Sequence, residues 1–312
     1  MQINYIILAH QNPQQLERLI DRLNGNDICF YIHLDAKSDM KHFEYLQRQN
    51  VIFVEQRIDV IWGDFSIVRA TLNSMIYITD NHKNGEGYTI LLSAQDYPIK
   101  TNKEIQEYLL ENKEYDFIDI KKIEEVWNNY RERVVARKFN FSSQRGNFVV
   151  IFPILKVKNL RELCLSLKNI IKLFIRNPKK GFCFLVYRRN KVPVKQHYAG
   201  SAWWVFRNQT MLKILELIKK DEKRYTNYYK ECLLPDEIFF QTLLMNIPNY
   251  NSSNIKDSVT YVNWTRQGCE LPVTFDENDI EELIQQPKNK LFARKFNSSK
   301  ILDSIDRRLF RR

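Results

Sequence analysis

INYIILAHQNPQQLERLIDRLNGNDICFYIHLD, residues 3–35, decides the fold. Its apolar opening, residues 3–9, reads as a buried strand. Leu16, Leu19, Ile20 and Leu23 then recur at helical spacing. Residues 28–34 form a second strand that ends at Asp35. Working outward, VIFVE (51–55) is a third strand, and residues 66–79 read as a helix with Ser66 near its start. YTILLS (88–93) is a fourth strand running into the turn AQDYP, followed by a helix over 102–112 and a strand over 115–120. Strands that alternate with helices predict an α/β fold: a doubly wound, mostly parallel sheet flanked by helices. Such sheets bind ligands at the carboxyl ends of their strands. His10, Asp35 and the Asp96 turn lie at such ends.

The second half is less regular. Helices are expected at 155–176, 210–219, 236–247 and 277–285, and YVNW (261–264) reads as a strand end. With no clean linker, residues 1–297 read as one composite domain. It divides into a half at 1–120, whose strand ends suit a nucleotide, and a less regular half at 121–297. A basic helical insertion at about 154–191 and a basic amphipathic tail at 298–312 complete the chain.

Composition narrows the function. Of 312 residues, five are cysteines, an odd number with no C-x-x-C pair, which fits a reducing compartment better than a disulfide framework or zinc site. The N-terminus lacks the features of a signal peptide, and no run of 18 apolar residues is present, so a cytoplasmic protein is expected. The charge of +11 is concentrated. Residues 154–191 hold 11 Lys/Arg against one Glu, and residues 288–312 hold nine against two Asp. Two such regions point to an anionic partner such as donor phosphates or an anionic membrane on the inner face of the plasma membrane. No nucleic-acid-binding motif accompanies the charge, so nucleic acid is not an expected partner.

Seven segments fall in a telling order: IHLDAKS (32–38), WGDFSIVRATLNSM (62–75), LLSAQDYPIKTNKEI (91–105), GSAWW (200–204), PDEIFFQTLL (235–244), YVNW (261–264) and LFARKF (291–296). With these the chain resembles the core-2/I-branching N-acetylglucosaminyltransferases and the related peptide O-xylosyltransferases over about residues 3–297. Residues 140–195 carry least of the likeness. The resemblance implies a GT-A-like fold, a UDP-sugar donor carrying GlcNAc or xylose, a glycan or lipid-linked glycan acceptor, an inverting reaction and no metal cofactor. Unlike the membrane-anchored members, the chain looks like a bacterial, cytosol-facing relative that builds surface polysaccharide.

Glycosyl transfer needs a base for the acceptor hydroxyl and positive charge at the departing diphosphate. No D-x-D metal motif ends a strand. By resemblance, Lys295, with Arg294 beside it, serves the diphosphate, and Arg266 is a second candidate. Glu237 matches the family's catalytic base, while Asp236 beside it starts a helix. Trp203 matches the aromatic acceptor contact, with Gly200 allowing close approach, whereas Trp204 belongs to the core. Glu125 and Trp127 resemble an acceptor-contacting stretch. Asp35 matches the uridine contact, and His10, Trp62 and Asp96 complete the donor side. The alternative is a catalytically inactive sugar-binding protein of the same fold.

Overall fold

A computed structural model describes residues 1–81, 85–186 and 191–309. The run at 3–35 folds as the pattern dictates: β1 (Gln2–Ala9), α1 (Pro13–Leu23) and β2 (Ile28–Leu34). β1 and β2 pair in parallel with Tyr5 opposite Phe30, and their rings stack 5.3 Å apart. Asn12 caps α1 by accepting the Gln15 N–H at 3.1 Å, and Pro13 fills its first turn. β3 (Val51–Phe53), α2 (Phe65–Asn81), β4 (Gly87–Ser93), β5 (Asp96–Pro98), α3 (Asn102–Glu111) and β6 (Asp116–Phe117) follow.

The main sheet has seven strands, in the order 255–256, β6, 205–207, β4, β1, β2, β3. Strand 205–207 runs antiparallel to both of its neighbours, and the other pairings are parallel. Helices cover both faces. Ile3, Tyr5 and Ile7 pack with α1, α3 and the C-terminal helix. Ile6 packs on the opposite face with α2, Trp204, Phe239 and Phe240. β1 lies between β2 and β4, so the chain departs from it in both directions. The crevice at its carboxyl end is therefore the switch point where ligands are expected. A smaller sheet extends from that end, with β5 antiparallel to 292–294 and 292–294 parallel to 260–262.

Several boundaries differ from expectation. The strand expected at 115–120 is only Asp116–Phe117. The helix expected from 155 starts at Leu160, where Asn159 accepts the Glu162 N–H at 2.9 Å, and a second helix follows at Pro178–Val186. Residues 235–237 form a tight turn, and the helix behind them is Phe239–Leu244.

The tail requires a correction. It is a helix, Ser299–Leu309, but its apolar stripe is not free: Ile301, Leu302 and Ile305 are buried in the core. Asp306 adds polar contacts to this docking. It accepts from Arg18 at 2.7 Å, from the Tyr97 hydroxyl at 2.9 Å, and pairs with Arg22 at 2.8 Å. Phe310, Arg311, Arg312, Arg188 and Arg189 lie outside the described residues.

The insertion's two helices pack on a hairpin that precedes them, Arg137–Asn140 with Phe148–Ile151. Val149, Ile151, Leu173 and Phe184 make its small core. No helix of the described residues is long and apolar enough to cross a membrane.

Candidate active site

The turn that carries Glu237 is held from two sides. Leu234 adopts a left-handed backbone, φ 50°, and its N–H donates to the Gly63 carbonyl at 3.3 Å. Gly63 itself has φ +70°, and a Cβ there would lie 2.8 Å from the Leu234 side chain. On the other side, the Gly200 N–H donates to the Glu237 carbonyl at 3.0 Å. Gly200 is thus needed for a different approach from the one its motif suggests: a Cβ there would sit 1.8 Å from the Asp119 carbonyl oxygen. The glycine lets the strand end lie against the Asp119 backbone and tie to the Glu237 turn.

The Glu237 carboxylate accepts from Arg133 Nη1 at 2.9 Å. The Arg133 guanidinium stacks on the Trp127 ring, 3.6 Å from its centroid. Burial pushes the Glu237 carboxyl above its ordinary value, and Arg133 pulls it back. Burial, followed by the Glu237 charge, pushes neighbouring Asp236 up to about 7. Asp236 Oδ1 is buried without a hydrogen-bond partner. Two adjacent carboxyls are thus held above their ordinary range, with one cation on Glu237.

Across from them stands Arg294. Register fixes it opposite Asp96, which is fully buried. Asp96 Oδ2 accepts the Ser93 N–H, while Oδ1 lies 3.5 Å from Arg294 Nη1, close enough for an ion pair but without hydrogen-bond geometry. Both of those atoms lack a hydrogen-bond partner. Burial raises Asp96, with Arg294 opposing the shift, and burial lowers Arg294. The Arg294 guanidinium covers the Trp203 ring at 4.0 Å, and it feels the charge of Asp236. Trp203 is half-buried beside this cation, whereas Trp204 is core, stacked on Phe206 at 4.2 Å. Lys295 is half-buried, and its ammonium makes no hydrogen bond or ion pair with the described residues. A cation without an internal partner beside Arg294 suits an anionic ligand.

Two residues expected on the donor side, His10 and Asp35, lie at the carboxyl ends of β1 and β2. Asp35 accepts the Lys37 N–H at 2.9 Å and pairs with the Lys37 ammonium at 3.2 Å. His10 is exposed, and its carbonyl accepts from Ser38 Oγ at 2.6 Å. His10, Asn12, Gln95 and Asn297 line one cleft over β1 and β4. Burial lowers His33 to about 4, and its Nε2 accepts the Ile58 N–H, so this histidine holds the loop as a neutral ring.

Three expected residues stand apart from these groups. Trp62 is exposed and carries Arg145 over its ring at 3.9 Å. Arg266 is committed to Asp279 at 2.6 Å and Glu282 at 2.7 Å. Glu125 is exposed and makes no hydrogen bond with the described residues. Conversely, Arg133 escaped the sequence reading, because nothing in NNYRERV marks it. Its role arises only where the chain returns 104 residues later. Among the described residues, no three His, Cys, Asp or Glu side chains converge as a metal site.

Residues 3–286 match the family model described as Core-2/I-Branching enzyme. Xylosyltransferase 2 of Canis lupus familiaris is 26% identical over 331 residues, covering 99% of this chain and 34% of that protein. Xylosyltransferase 1 of Rattus norvegicus is 24% identical over 333 residues, covering 99% and 36%. Xylosyltransferase 1 of Homo sapiens is 24% identical over 333 residues, covering 99% and 30%. The chain thus spans about a third of the length of these curated relatives.

Proposed function

The chain belongs to the Core-2/I-Branching enzyme family, and from that premise we propose that it is an inverting, metal-independent glycosyltransferase. It moves a sugar from a UDP-sugar to a glycan hydroxyl, in the synthesis of a surface polysaccharide or lipid-linked glycan. The observation that carries the reading is the pairing of Glu237 with Arg133 beside a second group, Arg294 with Trp203 and Asp96, whose guanidinium feels the charge of Asp236. Glu237 takes the acceptor proton. The freed oxygen attacks the anomeric carbon from the face opposite the diphosphate, giving a β-linked product from an α-linked donor. Lys295 and Arg294 offset the charge on UDP as it leaves. Asp35 and His10 serve the uridine end.

GlcNAc and xylose are the two candidate sugars. The names of the relatives make UDP-xylose the first donor to test. Metal independence rests on the missing D-x-D motif and on the cationic pair. The test is a screen of UDP-sugars for thermal stabilisation and for hydrolysis, with and without EDTA. One UDP-sugar should stabilise the protein and be turned over equally in EDTA. Complete loss in EDTA, restored by Mn²⁺, overturns the metal-independent reading. No response to any UDP-sugar overturns the donor class.

A further inference from the structure

The first insertion helix, Leu160–Arg176, is amphipathic but inverted. Its inward residues are Glu162, Ser166, Asn169 and Leu173. Each inward polar group has a partner in the fold. Glu162 takes Arg131 at 2.7 and 3.1 Å, Ser166 Oγ accepts the Phe152 N–H at 3.1 Å, and Asn169 donates to the Val150 carbonyl at 2.8 Å. The apolar stripe, Leu160, Leu167, Ile171 and Ile175, faces outward, from 50% to 79% exposed. The second helix closes against the first where Gly181 meets the Phe174 ring, since a Cβ there would lie 2.9 Å from it. This adds exposed Phe182 and Leu185 to the same subdomain, and the preceding turn adds Leu155, fully exposed. A cluster of exposed apolar side chains on this scale marks an interaction surface.

Charge identifies what it meets. Residues 154–186 hold eight Lys/Arg and a single acid, Glu162, which is buried against Arg131. Arg161, Lys168 and Lys172 each follow an outward apolar residue by one position, so a basic row flanks the apolar stripe. Lys156, Lys158, Arg161, Lys168 and Lys179 make no side-chain hydrogen bond or ion pair with the described residues. A second copy would bring one basic rim against another. An anionic bilayer answers both features, with its acyl boundary for the apolar stripe and its headgroups for the rim.

We propose that the outward face of the insertion helices is a docking site for an anionic lipid surface. The C-terminal helix takes no part, since its stripe is buried. Docking would also place the candidate site. Arg131 grips the first insertion helix, and Arg133, on the same short helix, holds Glu237. Lys138 of the hairpin donates to the Gly63 carbonyl at 2.8 Å, behind the Glu237 turn. The face and the carboxyl pair are thus tied by direct contacts. The inference does not depend on the identity of the donor.

The experiment is sedimentation of the full chain with vesicles of pure phosphatidylcholine and of phosphatidylcholine with phosphatidylglycerol. Two variants accompany the wild type: Leu167→Glu/Ile171→Glu, and Lys156→Ala/Arg161→Ala/Lys168→Ala/Lys172→Ala. Wild type should bind the anionic vesicles only, and lose binding in high salt. At about fivefold per basic residue, the charge variant should bind at least about a hundredfold more weakly. The apolar variant should lose at least about tenfold. Because all six positions are exposed or flank the face, melting temperatures should stay near wild type, and UDP-sugar turnover in vesicle-free solution should be unchanged. Absence of binding to anionic vesicles, or equal binding to both kinds, overturns the proposal. So does a dimer in light scattering that Leu167→Glu/Ile171→Glu dissociates, since that gives the face to a second copy. Loss of turnover by wild type without loss of vesicle binding would count against the enzyme reading and leave this one standing.

Discussion

Replacing Arg133 by Met should move the acid limb of the pH–activity profile to higher pH. The guanidinium lies 2.9 Å from the Glu237 carboxylate, with side-chain exposures of 14% and 27%. Burial already raises Glu237, and the Arg133 charge opposes the rise. A base works only when ionised, so activity falls as pH drops through the pKa of the carboxyl pair. An opposite charge at this range typically depresses a carboxyl by about 1–3 units, so its removal should raise the limb by about that much. Each unit corresponds to about 1.4 kcal/mol. The sign is firm: without the cation the proton is held more tightly, and the base form is lost at higher pH. Asp236→Asn removes the other neighbour and should move the limb the opposite way. Both limbs belong to the coupled pair. Met retains an aliphatic stem against Trp127, but the ion pair is partly buried, so about 1–4 kcal/mol of stability should be lost. The assay is kcat/KM for transfer between pH 4.5 and about 9, with melting curves as the folding control. An acid limb unmoved in both variants would refute Glu237 as the titrating base.

Lys295→Ala should weaken UDP binding and turnover together, by about tenfold or more in binding, because its ammonium is the unpaired cation beside Arg294; calorimetry with UDP checks this. Ile305→Asp should lower stability by about 3 kcal/mol or more, since it places a carboxylate in the core on which the C-terminal helix docks; denaturant melts check it. Gly200→Ala should destabilise the protein and reduce turnover, because its Cβ meets the Asp119 backbone, which cannot yield as a flexible side chain would; melting and kinetics together check it.

The first half of the fold was readable because β1, β2 and β4 are central strands buried on both faces. Their apolar runs are continuous, and the helices between them carry one clear stripe each. Glu237, Trp203, Arg294 and Asp96 each sit in a motif that sequence alone can mark, and the structure sets Arg294 against both Trp203 and Asp96. Arg133 was not, since its role depends on a tertiary meeting that no local pattern announces. The two basic amphipathic segments show the limit of periodicity. Both have a stripe of the same kind, but a stripe does not say which side finds partners. In the C-terminal helix, Arg18, Arg22 and Tyr97 receive Asp306 and the apolar side turns in. In the insertion, Arg131 receives Glu162 and the polar side turns in. Arg266 is a related case: Asp279 and Glu282, 13 and 16 residues further along the chain, hold its guanidinium, and no local pattern announces that meeting.

The most direct test of the account is Glu237→Gln, with UDP-xylose and UDP-GlcNAc turnover and UDP binding measured on the same preparations. The amide keeps the size of the side chain and removes its capacity to take a proton. The account predicts a loss of about 10²–10⁴-fold in turnover, with UDP affinity within about twofold of wild type. Turnover near the wild-type rate would contradict it and give the proton to another carboxylate, with Asp96 the first to examine.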